Sequence, residues 1–305
     1  MNDNSLKFSL LVLNKLYLIM DLKTILALLC PLLVVSCGKE SLPISPERQD
    51  DMTVSFLGNI GPSTRATDSN FETGDAIGVF AIEKTSSNPD GDILTSNHAD
   101  NVKYSYSGGS FKGASTVIKQ ITFQRLMFYK AVYPYSSDLR NEFSFAVDSD
   151  QSNSSSYTMS DLMTADTEAT TEVTPHLVFS HKLSNIIINL KYEEKPGGSE
   201  QMFFNNVLVE AKANINENTF TAFGTTKTVI ASGNGNNSFK VILPPQTIAE
   251  KVTLITLKVG SKTFTFFPES DFIWKSGMQY TYDVTVSKAG IISFTSSINP
   301  WETDN

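Results

Sequence analysis

The chain contains few residues of the types that often act in catalysis or form stabilising disulfides. Its 305 residues include two cysteines, three histidines and two tryptophans. Cys30 lies in an apolar N-terminal run that we expect to be removed on export, which leaves Cys37 as the only cysteine of the mature chain. A single cysteine cannot form an intrachain disulfide, so the fold has to be stabilised by buried apolar side chains.

Positive charge is also scarce. The formal net charge is −8, and Lys and Arg form no cluster along the sequence. Because phosphate contacts by Lys and Arg supply most of the affinity for nucleic acids, this charge argues against a nucleic-acid partner. The sequence also lacks any amphipathic helical pattern longer than two turns, which argues against a helical fold.

The N-terminal segment has the pattern of an export signal. Residues 25–35 form an apolar run that is too short to span a bilayer, which takes about 20 apolar residues. The aliphatic residues before Ser36 and Cys37 resemble the bacterial lipobox, in which a small residue directly precedes the lipidated cysteine. We expect residues 1–36 to be a signal peptide, with Met20 as the candidate true start, and Cys37 to carry the lipid.

After the signal, the sequence has the pattern of an all-β protein: short runs of Val, Ile, Phe, Tyr and Thr alternate with clusters of Gly, Asn, Ser and Pro, which are typical of turns. Met52, Val54 and Phe56 alternate with polar residues and predict a first strand with one apolar face. Residues 148–160 are rich in Ser, Asn and Asp and predict a surface loop. The sequence predicts two tandem β-sandwiches with a tether at 37–50, an N-terminal domain at 51–178 and a C-terminal domain at 179–305.

No combination of residues indicates catalysis. His98, His176 and His181 lie in no nucleophile motif, and we expect each of them to have a structural or solvent-facing role. His176 and His181 could bind a metal together only if the chain between them bends. Asp90 and Asp92 lack the remaining ligand positions of a calcium loop. We therefore expect no enzyme activity, no catalytic residue, no cofactor and no metal.

A set of strings extends in order over nearly the whole mature chain. They are TRATDSNFETGDAIGVFA from Thr64, YKAVYPY at Tyr129–Tyr135, SDLMTA at Ser160–Ala165, FSHKLSNIIINL at Phe179–Leu190, LPPQTI at Leu243–Ile248 and the closing Asn299–Trp301. In order and spacing they resemble the fimbrillin family, the lipoprotein subunits that polymerise into fimbriae on Gram-negative anaerobes. No single string is diagnostic, and the resemblance rests on the whole set.

The resemblance implies two transthyretin-like β-sandwich domains, export as a lipoprotein to the outer membrane, and cleavage after an arginine near the end of the first strand. Matched to this sequence, Cys37 is the acylated residue and Arg65-Ala66 is the cleaved bond. Cleavage would remove the predicted first strand and open a groove that an extended segment of a neighbouring subunit can fill. The candidate donor strand is C-terminal and contains Ile292, Phe294, Ile298 and Trp301.

From these patterns we expect a structural subunit of fimbriae that is lipid-anchored at the cell surface in the outer membrane and supports cell adhesion. Its partners would be other fimbrial subunits, in a homopolymer or a heteropolymer, and host or bacterial surface molecules. One alternative is an accessory or tip adhesin that does not polymerise. Another is a surface glycan-binding lipoprotein; Trp274 and Trp301 form no aromatic platform, but Tyr104 and Tyr106 share a strand face that could stack a sugar.

Overall fold

The computed structural model of the chain describes residues 52–61 and 70–301, so Cys37, Arg65 and Ala66 lie outside the described residues. Strands make up nearly all of its regular structure, and none of the described helices is long and apolar enough to cross a membrane. The elements are β1 (Leu57–Ile60), β2 (Ala76–Glu83), β3 (Ala99–Ser107), β4 (Ser110–Gly113), β5 (Met127–Tyr133), β6 (Glu142–Ala146), α1 (Ser154–Met159), β7 (Met163–Asp166), β8 (His176–His181), β9 (Ser184–Tyr192), β10 (Glu200–Val207), β11 (Glu210–Asn214), β12 (Thr219–Phe223), β13 (Lys227–Ile230), β14 (Ser232–Gly233), β15 (Ser238–Leu243), β16 (Gln246–Ile248), β17 (Ile255–Val259), β18 (Lys262–Phe266), β19 (Phe272–Trp274), β20 (Met278–Ser287) and β21 (Gly290–Pro300).

The N-terminal part forms a seven-stranded sheet in the order β1–β8–β7–β5–β2–β3–β4. All neighbouring strands are antiparallel except β1 and β8, which are parallel. The central strands β2 and β5 have nearly continuous apolar sequences, AIGVFAIE and MFYKAVY, and almost all of their residues are buried. Continuous apolar runs of this kind are typical of strands that are covered on both faces.

The C-terminal part contains a five-stranded sheet, β14–β15–β9–β20–β21, and a four-stranded sheet, β13–β10–β17–β18. β9 and β20 are parallel, and the other pairs in these two sheets are antiparallel. Two small sheets, β12–β11–β6 and β16–β19, complete the β structure of the described residues. In the late strand β20, Tyr280, Tyr282, Val284 and Val286 are buried at every second position, as half-buried strands require.

The described residues bury two hydrophobic cores. The first core lies on one face of the seven-stranded sheet and contains Phe56, Tyr104 and Phe179. The second core takes side chains from the other face of that sheet and from the C-terminal sheets. Neighbouring residues of β2 show the division, because Val79 belongs to the first core and Phe80 to the second.

The predicted all-β class with two sandwiches is confirmed, whereas the position of the domain boundary stays a prediction. A boundary between residues 178 and 179 falls inside β8. In addition β6, which precedes the boundary, pairs with β11, which follows it, from Glu142 opposite Asn214 to Ala146 opposite Glu210. Strands from both sides of the predicted boundary therefore share one small sheet.

Candidate functional site: the first-strand segment and the C-terminal tail

The first-strand segment, residues 52–61, contains the edge strand β1 of the seven-stranded sheet and also contacts β4 at the opposite edge. On one side β1 pairs in parallel with β8, from Leu57 opposite His176 to Ile60 opposite Phe179. On the other side Phe56 exchanges two backbone hydrogen bonds with Phe111 of β4, at N···O distances of 3.1 and 2.8 Å. The segment therefore joins the two edges of the sheet.

The backbone N–H groups of this segment alternate between its two neighbours. Those of Val54 and Phe56 donate toward β4 and the chain after it, and those of Ser55, Leu57 and Gly61 donate toward β8 and the chain before it. The bonds run from Val54 to Ile118 (2.8 Å), Ser55 to Val173 (3.0 Å), Phe56 to Phe111 (3.1 Å), Leu57 to Pro175 (3.1 Å) and Gly61 to Phe179 (2.9 Å). Loss of the segment would leave these carbonyl groups without their partners, which is unfavourable wherever they stay buried.

One face of the first-strand segment consists of core side chains. Val54, Phe56 and Ile60 are 1%, 0% and 7% exposed, and Met52 is half-buried. The alternating face predicted at Met52, Val54 and Phe56 is thus buried at its last two positions and continues to Ile60. The regular strand begins only at Leu57, and the residues before it pair through isolated bridges at Thr53 and Phe56.

Tyr104 connects this segment to the rest of the first core. Its hydroxyl donates a hydrogen bond to the Val54 carbonyl at 3.0 Å and accepts one from the Ile118 N–H at 2.8 Å. Burial raises the pKa of Tyr104, and the hydrogen bond from Ile118 opposes that change. Tyr104 is fully buried with the Phe56 ring 4.9 Å away, so it is a core residue and cannot stack a sugar.

Gly58 occupies the inward-facing position between Phe56 and Ile60. A Cβ atom added there would lie 2.8 Å from the Phe111 ring and 3.6 Å from the Phe179 ring. The backbone of the segment therefore approaches two core aromatics so closely that any side chain at this position requires the Phe111 ring to shift. The sequence predictions did not include Gly58 or Ile60 and gave Tyr104 only a sugar-stacking role, although Ile60 continues the two-residue spacing of Val54 and Phe56.

The C-terminal tail, residues 290–301, is the outermost strand of the five-stranded sheet. β21 pairs with β20 along its length, from Gly290 opposite Ser287 to Pro300 opposite Met278, and it has no strand on its other edge among the described residues. Phe294 is half-buried with its ring stacked at 4.2 Å on Phe266. Two further residues of the candidate donor strand lie in β21: Ile292, and Ile298, which is 54% exposed.

Trp301 anchors the end of the tail on the body of the chain. Trp301 is 8% exposed, its ring stacks on His181 with 4.0 Å between centroids, and its backbone N–H donates to the Gly277 carbonyl at 2.7 Å. His181 is buried and forms a 2.9 Å hydrogen bond with buried Asp161. The tail therefore docks on its own chain through one strand neighbour and two aromatic stacks, Phe294 on Phe266 and Trp301 on His181.

The histidines do not form a metal site with one another. His176 is exposed and His181 is buried, as expected for residues five apart on a strand, whose side chains point to opposite faces. The imidazole of exposed His98 lies 2.8 Å from the Lys119 carbonyl oxygen. Within residues 52–61 and 70–301, no group of three His, Cys, Asp or Glu side chains is arranged to hold a metal.

The sequence matches known proteins over most of its length. The sequence model of the fimbrillin-like family matches residues 64–301. The chain belongs to the fimbrillin-like family. A protein assigned as a fimbrium subunit, Fim1C of Bacteroides uniformis, is 24% identical to it over 298 residues, which are 92% of this chain and 95% of that protein. The resemblance predicted from the ordered strings is confirmed.

Solved structures share the fold of this fimbrillin-like chain. A protein of Bacteroides ovatus assigned to cell adhesion has a TM-score of 0.66 and 20% identity, and the match covers 83% of this chain and 99% of that one. A second protein assigned to cell adhesion, from Bacteroides uniformis, has a TM-score of 0.63 and 24% identity, with 82% and 100% covered. At these identities the likeness establishes the fold.

Proposed function

We propose that this fimbrillin-like chain is a structural subunit of cell-surface fimbriae that support cell adhesion. In this proposal it is exported as a lipoprotein, anchored to the outer membrane through Cys37, trimmed after Arg65 and assembled by strand exchange between copies or related subunits. The observation that carries the proposal is the position of the first-strand segment, a core strand with neighbours on both sides. Arg65 follows the end of this segment by four residues.

Cleavage at Arg65-Ala66 would separate the first-strand segment from the rest of the chain. Its departure would expose the core side chains that contact Val54, Phe56 and Ile60. Burial of each of these three side chains stabilises the fold by roughly 1.5 to 3 kcal/mol. It would also free the backbone groups that bond to the segment on both sides. An open slot with apolar walls and unpaired backbone groups is the kind of site that an added β-strand fills.

The C-terminal tail is suited to fill such a slot on another molecule. It is an edge strand with one strand neighbour in its own sheet, and Ile298 is largely exposed there. In the groove of another subunit it would gain neighbours on both sides. A tail-to-groove contact joins two different surfaces and does not close on itself, so repeated contacts build a filament.

One observation favours the alternative of an accessory adhesin that does not polymerise. Trp301, at the end of the proposed donor, is buried against His181 of its own chain. Polymerisation therefore requires this stack and the β20–β21 ladder to break in one subunit while the new contacts form in the next. An accessory subunit would keep them.

Size-exclusion chromatography before and after Arg-specific proteolysis tests the proposal. The mature chain should run as a monomer before cleavage and form a ladder of larger species after it, with Ala66 as the new N-terminus. An Arg65→Ala variant is the matched control, since it keeps the other arginines and should stay monomeric. A chain that is trimmed at Arg65 and remains strictly monomeric would contradict polymerisation and support the accessory role.

A further inference from the structure

The C-terminal tail repeats the sequence pattern of the first-strand segment. Residues 54–62 read VSFLGNIGP and residues 292–300 read ISFTSSINP, aligned without a gap. Two aliphatic residues, Val54 and Ile292, begin the stretches, and a small residue occupies the same middle position in both. The identical pairs are Ser55 and Ser293, Phe56 and Phe294, Ile60 and Ile298, and Pro62 and Pro300.

Matched residues of the first-strand segment and the tail differ in their burial. In the first-strand segment the alternate positions face the first core, where Phe56 and Ile60 are buried. In the tail the matching Phe294 is only half-buried, and the matching Ile298 is exposed. The apolar face of the tail is therefore incompletely buried in its own sheet, although the same pattern fits the groove.

We propose that the strand entering the vacated groove is the tail of a second copy of this chain, held in the register that this alignment gives. The inference rests on the strand exchange proposed above. It adds the identity of the partner and the position that each donor residue occupies in the groove. Phe294 takes the site of Phe56, Ser296 that of Gly58 and Ile298 that of Ile60. The assembly is then a homopolymer.

The narrow site at Gly58 fixes this register. A Cβ atom at that position lies 2.8 Å from the Phe111 ring, so the ring has to shift to admit Ser296, and a larger side chain would demand a larger shift in a closely packed core. A slip by two residues in either direction would instead bring Phe294 or Ile298 to this position. A slip by one residue would turn the apolar face of the tail outward.

The pairing of β1 with β8 gives the expected neighbours of the inserted tail. Asn59 lies opposite Val178 in the parallel ladder. In the proposed register Ser297 takes the place of Asn59 and lies opposite Val178 of the next subunit. Val178 is 50% exposed, and Ser297 is exposed on the tail, so cysteines at these positions would disturb neither core.

Disulfide trapping between two singly substituted proteins tests the register. Trimming at Arg65 removes both native cysteines, Cys30 and Cys37, which leaves a cysteine-free background. A Val178→Cys protein is mixed with a Ser297→Cys protein, trimmed and oxidised, and linked dimers are counted on a denaturing gel. The matched controls replace Ser297→Cys by Thr295→Cys or Asn299→Cys, which lie two residues away along the strand, too far from position 178 to bridge.

We expect about tenfold more linked dimer from Ser297→Cys than from either control, because a disulfide requires Cα atoms within about 7 Å. Larger species with dominant linkage at a control position, or with no linkage, would overturn the register and leave strand exchange standing. Trimmed protein that forms no larger species would overturn both proposals.

A second pair of variants tests the narrow site itself. Ser296→Leu places a large side chain at the position matched to Gly58, while Ser297→Leu places it at the neighbouring outward position. Both serines are exposed on β21 of the intact chain, so both variants should fold. After trimming, we expect Ser296→Leu to slow assembly about tenfold or more and Ser297→Leu to leave it nearly unchanged. Equal rates for the two variants would overturn the seat assigned to Ser296.

Discussion

The first-strand segment and the C-terminal tail share a sequence pattern but lie in different environments. The first has a hydrogen-bonded neighbour on each side and faces a core, whereas the second has one neighbour and ends a sheet. Their matched phenylalanines illustrate the difference, since Phe56 is fully buried and Phe294 is half-buried. The pattern determines which face of a strand can be buried, and the position in the sheet determines how much of it is.

Truncating the two phenylalanines should give the largest contrast between these segments. Phe56→Ala should lower the free energy of unfolding of the untrimmed chain by about 3–5 kcal/mol, as for other fully buried phenylalanines. Phe294→Ala should lower it by about half as much, since part of that ring already contacts water. Urea unfolding of both variants measures the difference. Equal losses would show that the two environments do not differ in energy.

The hydrogen bonds of Tyr104 should contribute less than the Phe56 ring. Tyr104→Phe keeps the ring but removes the hydroxyl that bridges Val54 and Ile118. Leaving a buried carbonyl and a buried N–H unpaired should lower the free energy of unfolding by about 1–3 kcal/mol. Tyr106→Phe, at a half-buried position of the same strand, is the control and should have a smaller effect. Similar losses in the two variants would argue against the bridging role.

Alkaline pH should weaken the first core through the same tyrosine. Burial raises the pKa of Tyr104 above its ordinary value of 10.0, so the folded chain holds this proton more tightly than the unfolded chain does. The corresponding stabilisation is complete below pH 10 and is lost as the pH rises above it. The urea concentration at the midpoint of unfolding should therefore be lower at about pH 11 than at about pH 8.

Tyr104→Phe separates this tyrosine from the others. Burial also raises the pKa of Tyr129 in the first core and of Tyr282 in the second, so a part of the alkaline loss should remain in the variant. We expect the pH dependence to decrease but not to vanish. An unchanged dependence would mean that Tyr104 does not contribute to it.

The sequence predicts the parts of this site that depend on local pattern. Alternation at residues 52–56 and 280–286 is enough to assign strands and their buried faces, because side chains of a strand alternate between its faces. Residues 148–160 show the limit of such patterns. They were predicted to be a loop, but they contain α1, which is capped by the Asn153 side chain at 2.9 Å and buries Tyr157.

The remaining features depend on partners that are distant in the sequence. Phe56 bonds to Phe111, and the neighbours on its other side lie beyond residue 170, so no local pattern shows that the segment joins two sheet edges. The stack of Trp301 on His181 is equally non-local. The match between residues 54–62 and 292–300 is readable from the sequence, but its meaning depends on knowing that the first stretch is enclosed and the second is at an edge.

The smallest effect in the intact chain should come from Ile298, an exposed residue of the candidate donor strand. Ile298→Ser should change the free energy of unfolding of the untrimmed protein by no more than about 0.5 kcal/mol, because the side chain is 54% exposed. Ile60→Ser, at the matched buried position, should cost several times more. After trimming, however, Ile298→Ser should slow assembly, because the second environment is the one that buries this side chain. Unchanged assembly would mean that the exposed isoleucine of the tail never reaches the site of Ile60, and that the repeated pattern has another origin.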